Sequence, residues 1–140
     1  MNGFIDQLLE NEYVETFAYF SITVLALIVF LSIFEMVTRY DDWKEVKNGN
    51  VSVAMAIGGK IFGICNIFRF AMLAENDSIY QSMLRGAYGF ALLLAAYLIF
   101  EFMTPFFRID EEIQKDNRAV GLLSMTISVS MSFVIGAGLS

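Results

Sequence analysis

The sequence contains no histidine and a single cysteine among its 140 residues. Without histidine there is no Ser-His or Cys-His nucleophile pair, no histidine-ligated metal and no axial imidazole for a haem. The cysteine, Cys65, falls in an apolar stretch, where we interpret it as a small buried residue rather than a reactive thiol. We therefore expect no catalytic residues and no cofactor, and we predict that the protein is not an enzyme.

Carboxylates are the metal ligands that remain, and several are neighbours in the sequence: Asp41, Asp42, Asp110, Glu111 and Glu112. Adjacent acidic residues between apolar stretches usually form a solvated surface, so we expect no metal site. The formal net charge of -6 also argues against a nucleic-acid partner.

Hydrophobic residues make up 57% of the chain and are concentrated in long runs, which is typical of an integral membrane protein in contact with the lipid bilayer. Nineteen uncharged residues run from Thr16 to Phe34 and twenty-two from Ala119 to Ser140, and about 20 residues suffice for a helix to cross the hydrocarbon. Two further apolar stretches, roughly Val51 to Ala74 and Met83 to Pro105, contain charged residues. We predict a membrane-spanning helix in each of the four stretches.

The sequence repeats itself. A Phe-Glu-x-x-Thr motif occurs at residues 34–38 and again at residues 100–104, each time at the end of an apolar run. After a shift of one residue the match continues with Glu45-Val46 and Glu112-Ile113, Asn50 and Asn117, and Val53 and Val120. We predict an all-α membrane protein whose four transmembrane helices form two parallel helical-hairpin repeats, at about 14–74 and 80–140, in one integral membrane domain at 1–140.

Basic residues are concentrated in the first and third connections between the predicted spans: Arg39, Lys44, Lys47, Arg108, Lys115 and Arg118. Since basic loops remain on the cytoplasmic side of a membrane, we expect the N- and C-termini of this multi-pass protein to lie outside. The acidic N-terminal segment lacks the basic n-region and the small-residue cleavage site of a signal peptide. The first apolar run is therefore expected to remain as an anchor.

Two glutamates, Glu35 and Glu101, occupy equivalent places in the two repeats, at the inner edge of the membrane. Charge is costly in a membrane and marks a candidate functional site. If these carboxylates face each other, they share one proton, as in a proton-coupled site. In the alternative that we favour, each binds a loop cation or the hydroxyl group of Thr38 or Thr104.

Lys60 is the third charged residue of this candidate intramembrane site. It lies near the middle of the second predicted span, where the second repeat has the apolar Ile127. Its long side chain is able to reach Glu35 or Glu101. Such a charge pair either holds the helices in register, which we favour, or lines an ion path.

Small residues at helical spacing indicate close packing between helices. The candidate packing residues are Gly59, Gly63, Ser124, Ser128 and Ser132. In lipid, helices associate through close backbone approach and hydroxyl hydrogen bonds. We expect these residues to pack within one bundle rather than between subunits. A bundle of four helices offers little interior, so transport by this chain would require a homo-oligomer.

The segment at residues 45–54, which reads Glu-Val-Lys-Asn-Gly-Asn-Val-Ser-Val-Ala, leads into a glycine-rich span and is partly duplicated in the second repeat. With the two Phe-Glu endings, it resembles the YjfL-type family of uncharacterised bacterial inner-membrane proteins. The second copy departs from the pattern at Asp116 and Arg118, where the first has Gly49 and Val51. The resemblance implies the bacterial plasma (inner) membrane and, in some members, gene neighbourhoods tied to membrane-stress proteins of the phage-shock type.

Two functions follow from these observations. The favoured hypothesis is a non-enzymatic accessory or interaction subunit in bacterial membrane maintenance or stress response, which acts through a membrane-protein partner. Its candidate cytoplasmic contact residues are Lys44 and Lys47. The alternative is a small oligomeric ion channel or transporter that uses Glu35, Glu101 and Lys60.

The accessory hypothesis predicts that charge reversal at Lys44 and Lys47 removes an associated protein without unfolding the bundle. The measurement is the composition and mass of the complex extracted from native membranes at native abundance. Retention of the same partner by the Lys44→Glu, Lys47→Glu variant would rule out this contact surface.

Overall fold

The computed structural model describes residues 2–38, 41–74, 78–103 and 108–139, apart from the side chains at positions 2 and 102. These residues form seven helices: α1 (Asn2–Leu9), α2 (Glu12–Val37), α3 (Asp42–Lys47), α4 (Val51–Leu73), α5 (Ile79–Phe102), α6 (Ile109–Gln114) and α7 (Arg118–Leu139). Helices α2, α4, α5 and α7 are long and apolar enough to cross a membrane. The predicted all-helical architecture with four candidate spans is confirmed. Arg39, Thr104, Pro105 and Ser140 lie outside the described residues.

Two of the four spanning helices begin four residues before the apolar runs predicted, α2 at Glu12 and α5 at Ile79. The side chain of Asn11 accepts a hydrogen bond from the backbone N–H of Tyr13, which starts α2 at Glu12. A capping box formed by Ser78 and Gln81 starts α5 at Ile79. The short helices α1, α3 and α6 were not predicted at all, and α3 and α6 determine the position of the acidic residues described below.

The turn between α3 and α4 and the turn between α6 and α7 have the same backbone hydrogen bonds. The amide of Gly49 bonds the carbonyl of Val46, and the amide of Asp116 bonds the carbonyl of Ile113, both at 3.0 Å. Gly49 and Asp116 both adopt positive φ, at 86° and 61°. Asp116 therefore keeps the backbone shape of the turn although glycine is the residue that adopts it without strain.

The two turns also bind each other. The side-chain amide of Asn50 donates to the backbone carbonyls of Ile113, at 3.1 Å, and Gln114, at 2.9 Å, at the end of α6. In return, the carboxylate of Asp116 accepts a hydrogen bond from the backbone N–H of Ser52, at 3.0 Å, in the first turn of α4. The free backbone groups at one end of the bundle are thus satisfied by the opposite half of the chain.

Helices α4 and α7 run parallel and form the most extensive helix contact of the described chain. Contacts along their length pair Ser52 with Gly121, Gly59 with Met125, Gly63 with Ser128, Asn66 with Ser132, and Phe70 with Gly136. A Cβ atom on Gly59 would lie 2.7 Å from the Cα atom of Met125. The structure places Gly59, Gly63, Ser128 and Ser132 in this contact, whereas the buried Ser124 lies at a narrow gap beside α5.

Helix α2 packs on the bundle mainly through two aromatic side chains. Phe30 stacks on Phe90 of α5 with 4.0 Å between ring centroids, and Phe34 meets Phe90 and Tyr97 edge to face. The opposite face of α2 exposes large apolar side chains such as Leu25 and Ile28. In a bilayer this face contacts lipid chains, so its exposure carries no penalty.

The glycine contact between α4 and α7 predicts opposite effects for two adjacent substitutions. Gly59→Ala should destabilise the protein by about 1 to 3 kcal/mol, because the new methyl group collides with the backbone of Met125. Gly58→Ala is the matched control, since a Cβ there meets nothing within 4 Å and alanine favours the helix by up to about 1 kcal/mol. Thermal unfolding in maltoside micelles measures both. Equal stability of the two variants would contradict the close contact.

Candidate functional site

Lys60 of α4 is fully buried and lies against aromatic rings of α2 and α5. It lies about 14 Å along α4 from the first residue of that helix, at 1.5 Å per residue. Its Nζ atom is 5.1 Å from the centroid of the Phe34 ring and 4.8 Å from that of Tyr97. These distances are those of cation–π contacts. Within the described part of the chain, Nζ has no hydrogen-bond acceptor.

Two carboxylates from the short helices are buried close to Lys60. Asp42 is the first residue of α3 and is 5% exposed, and Asp110 is the second residue of α6 and is 1% exposed. Together with Glu101 of α5, they are the carboxylates whose charges act on Lys60. The hydroxyl of Tyr97 donates a hydrogen bond to Asp110. One carboxylate oxygen of Asp42 and one of Asp110 are buried without a hydrogen-bond partner among the residues described.

The interpretation of the loop acids as a solvated surface is wrong for Asp42 and Asp110. It holds for Asp41 and Glu111, which are exposed. The difference arises because α3 and α6 turn successive side chains to different sides. Asp41 caps α3 at the surface, where its side chain accepts a hydrogen bond from the backbone N–H of Lys44. The side chain of the next residue, Asp42, is buried in the bundle. The sequence did contain one indication that some loop acids are buried, namely the lone lysine of the second span. A buried cation requires carboxylates from another part of the chain to balance its charge.

The two repeat-related glutamates occupy different surroundings. Glu101 is half-buried and acts on Lys60, while Glu35 is half-buried and acts on Asp42. The hydroxyl of Thr38 donates to the backbone carbonyl of Glu35 at 3.1 Å. This contradicts the alternative in which the Thr38 hydroxyl binds the Glu35 carboxylate. The structure thus brings Lys60 and Glu101 into one cluster and links Glu35 to it through Asp42.

A cavity of about 140 Å³ adjoins the cluster between α2, α3 and α4. Its lining consists of Ile28, Leu31, Ser32, Glu35, Asp42, Trp43 and Ile57. Glu35 and Asp42 are the charged side chains of that lining, and the remainder is apolar apart from Ser32 and the indole of Trp43. We refer to this space as the α2–α4 cavity.

Buried polar side chains continue from the cluster along α7. Tyr97, Ser124 and Ser128 line a narrow gap between α5 and α7 that is too small for a water molecule. Farther along, the amide of Asn66 donates to the hydroxyl of Ser132 at 3.0 Å. Across the described residues, no three acidic or cysteine side chains are grouped to hold a metal ion.

Comparison with known proteins agrees with the membrane architecture. Residues 7–139 match the profile of the family described as Domain of Unknown Function (DUF350). The chain belongs to the DUF350 family. It is 53% identical to the UPF0719 transmembrane protein YshE of Bacillus subtilis over 130 residues, which cover 93% of this chain and 96% of YshE.

More distant relatives support the same assignment. The chain is 27% identical to the UPF0719 inner membrane protein YjfL of Escherichia coli K12 over 115 residues, or 81% of this chain and 83% of YjfL. The YjfL protein of Escherichia coli O157:H7 matches to the same extent. No solved structure is significantly similar. The YjfL-type resemblance is thereby confirmed, and the chain is a multi-pass membrane protein of a family with bacterial members.

Asp42 is the residue of this DUF350 site whose titration the surroundings alter most clearly outside the spans. Burial raises the pKa of its carboxyl group above the ordinary value, Lys60 opposes the rise, and the carboxylates of Glu35, Asp110 and Asp41 add to it. Within the interval between the ordinary and the raised pKa, the folded protein binds more protons than the unfolded chain. The free energy of unfolding therefore decreases as pH rises through this interval.

Asp42→Asn should remove this decrease, since the amide does not titrate. We expect the stability of the natural protein to fall as pH rises from about 4, and that of the variant to change less. Asp41→Asn is the matched control, because Asp41 is exposed and an asparagine still caps α3. Chemical unfolding in maltoside micelles across pH measures the effect. A pH profile that Asp42→Asn leaves unchanged would contradict the assignment.

Proposed function

We propose that this DUF350 protein is a non-enzymatic ion pathway that carries protons, with the buried cluster around Lys60 as its proton-binding site. The observation that carries the proposal is the burial of Lys60, Asp42 and Asp110 together, each with a polar atom that lacks a hydrogen-bond partner among the described residues. Ionisable side chains inside a membrane protein are costly and mark proton or ion paths.

The charge balance of the cluster favours protons as the transported ions. Three carboxylates, those of Asp42, Asp110 and Glu101, act on one lysine. If all four groups were ionised, the buried site would carry a net charge of about -2, which a low-dielectric interior disfavours. A proton shared among the carboxylates relieves this charge, and groups coupled in this way exchange protons in steps that belong to the cluster.

Polar side chains extend away from the cluster along α7. Tyr97 donates a hydrogen bond to Asp110 and lies with Ser124 and Ser128 at a narrow gap that is too small for a water molecule. Farther along, Asn66 donates to Ser132. This row supports the proposal because hydroxyl and amide groups both donate and accept hydrogen bonds.

The arrangement in the membrane is part of the proposal. We place the end that carries α3 and α6 in the cytoplasm and both termini outside, on the basic residues of those two connections. The two halves of the chain are proposed to be parallel hairpin repeats, supported by the matching turns at Gly49 and Asp116. Because one bundle holds little interior space, the pathway is proposed to work in a homo-oligomer in the bacterial plasma membrane.

An accessory role remains a second proposal, favoured by the construction of α3. This helix exposes Lys44 and Lys47 to solvent and buries Asp42 in the cluster. A membrane-protein partner that binds the two lysines would therefore shift α3 and alter the proton site. The charge-reversal experiment on Lys44 and Lys47 tests this role separately.

The ion-pathway proposal predicts that Glu35→Gln with Glu101→Gln abolishes proton flux while assembly stays intact. The measurement is pH-dye fluorescence in proteoliposomes after a pH step, with a potassium gradient and valinomycin to set the voltage. We expect at least a tenfold decrease in flux, since both glutamates act on the cluster.

Glu10→Gln with Glu12→Gln provides the matched control, because it removes the same charge at two exposed residues before and at the start of α2. Size-exclusion chromatography checks that each variant assembles. Full flux in the Glu35, Glu101 double variant would eliminate this site as a proton path.

A further inference from the structure

We infer that the α2–α4 cavity binds the cationic head of an amphipathic organic ammonium compound whose apolar tail lies in the bilayer. This inference rests on the proposed function, since such a cation would be the solute exchanged against protons at the same cluster. It names a ligand class for a cavity that the proton path itself does not require.

The charges of the cavity select a cation. Glu35 and Asp42 are its acidic lining residues, and none of the lining residues among those described is basic. Asp42 is 5% exposed and Glu35 is half-buried, so both carboxylates are largely withdrawn from water. A carboxylate in such surroundings is stabilised by a positive group placed beside it. An anionic ligand would instead be repelled by both side chains.

The size and walls of the cavity select an organic cation. A cavity of about 150 Å³ holds a molecule of benzene size, so the 140 Å³ measured here accommodates the five or so heavy atoms of an alkylammonium head. The aliphatic walls of Leu31 and Ile57 suit methyl groups, and the indole of Trp43 suits a quaternary ammonium through cation–π attraction. A small hydrated metal ion would lack ligands, because three acidic residues are not grouped together in the described chain.

The position of the mouth indicates that the ligand is amphipathic. Ile28 and Trp43, which line the cavity, are each 58% exposed. From this mouth the apolar face of α2 continues through Leu25, which is 64% exposed. The acidic floor lies where α2 meets α3, at the end of the span, and the apolar face lies within the span. A bilayer places the head and tail of a single-chain amphiphile in that same order.

The chain contains one tryptophan, and it lines the cavity, so its fluorescence reports on this site. The probe is (2-bromohexyl)trimethylammonium, whose bromine lies next to the cationic head and quenches indole emission on contact. The protein is the full chain in maltoside micelles, which carry no ammonium group. We expect saturable quenching of Trp43. The uncharged 2-bromohexan-1-ol, which partitions into the micelle without a cationic head, should quench in a linear, non-saturating way.

Glu35→Gln should weaken binding of the bromo probe at least tenfold, and Glu12→Gln, at an exposed residue of the same helix, should leave it unchanged. Equal quenching by the alcohol, or unchanged affinity in Glu35→Gln, would overturn the inference. Size-exclusion chromatography of Glu35→Gln shows whether the variant remains folded. If it does not, Glu35→Asp, which keeps the charge and withdraws it by one methylene, should give a smaller loss of affinity.

Competition distinguishes the sources of the ammonium group. Displacement of the probe by hexyltrimethylammonium but not by short-chain phosphatidylcholine supports a free amphiphile, and displacement by both supports a lipid head group. Failure of the inference is separable from failure of the proposed function. Proton flux without saturable quenching overturns the ammonium site alone, whereas saturable quenching without flux supports the site and overturns the proton pathway.

Discussion

The burial of one ammonium group is the constraint on which the rest of the bundle depends. Lys60 lies where neither water nor a hydrogen-bonded carboxylate of the described chain reaches its Nζ atom. Two aromatic rings and three nearby carboxylates compensate for the lost hydration. Removing a partner from a buried charge costs about 3 to 5 kcal/mol, so the helices that supply these groups are held at fixed positions around α4.

The short helices meet that requirement because they carry acidic residues into the bundle at its loop end. α3 brings Asp42 and α6 brings Asp110, and α6 is anchored by the buried Ile109 and Ile113. The turns that follow them bind the opposite half of the chain, which fixes both short helices relative to α4. Gly59, the residue before Lys60, allows the close contact between α4 and α7.

The membrane spans could be predicted from the sequence because they depend on composition. The burial of individual loop residues could not, because it depends on the direction in which each side chain points. The spans follow from uncharged runs, and Lys60 and Glu101 were identifiable because a charge in an apolar run is conspicuous. Asp42 and Asp110 were not, since a helix of six residues is too short to show a periodic apolar face. Whether a loop carboxylate points inward depends on tertiary contacts such as those of Asn50. The start of α5 was missed for a different reason, because the polar capping residues Ser78 and Gln81 look like loop.

The reciprocal binding of the two turns joins halves of the chain that differ in charge. Asn50 of the first half holds the end of α6, and Asp116 of the second half caps α4. Two identical half-length chains would make these contacts across a symmetric dimer, and every residue would then occur twice, including the lysine. A single chain is free of that obligation, so Lys60 is the one buried ammonium group among the described residues. A symmetric dimer would instead bury two like charges that repel each other.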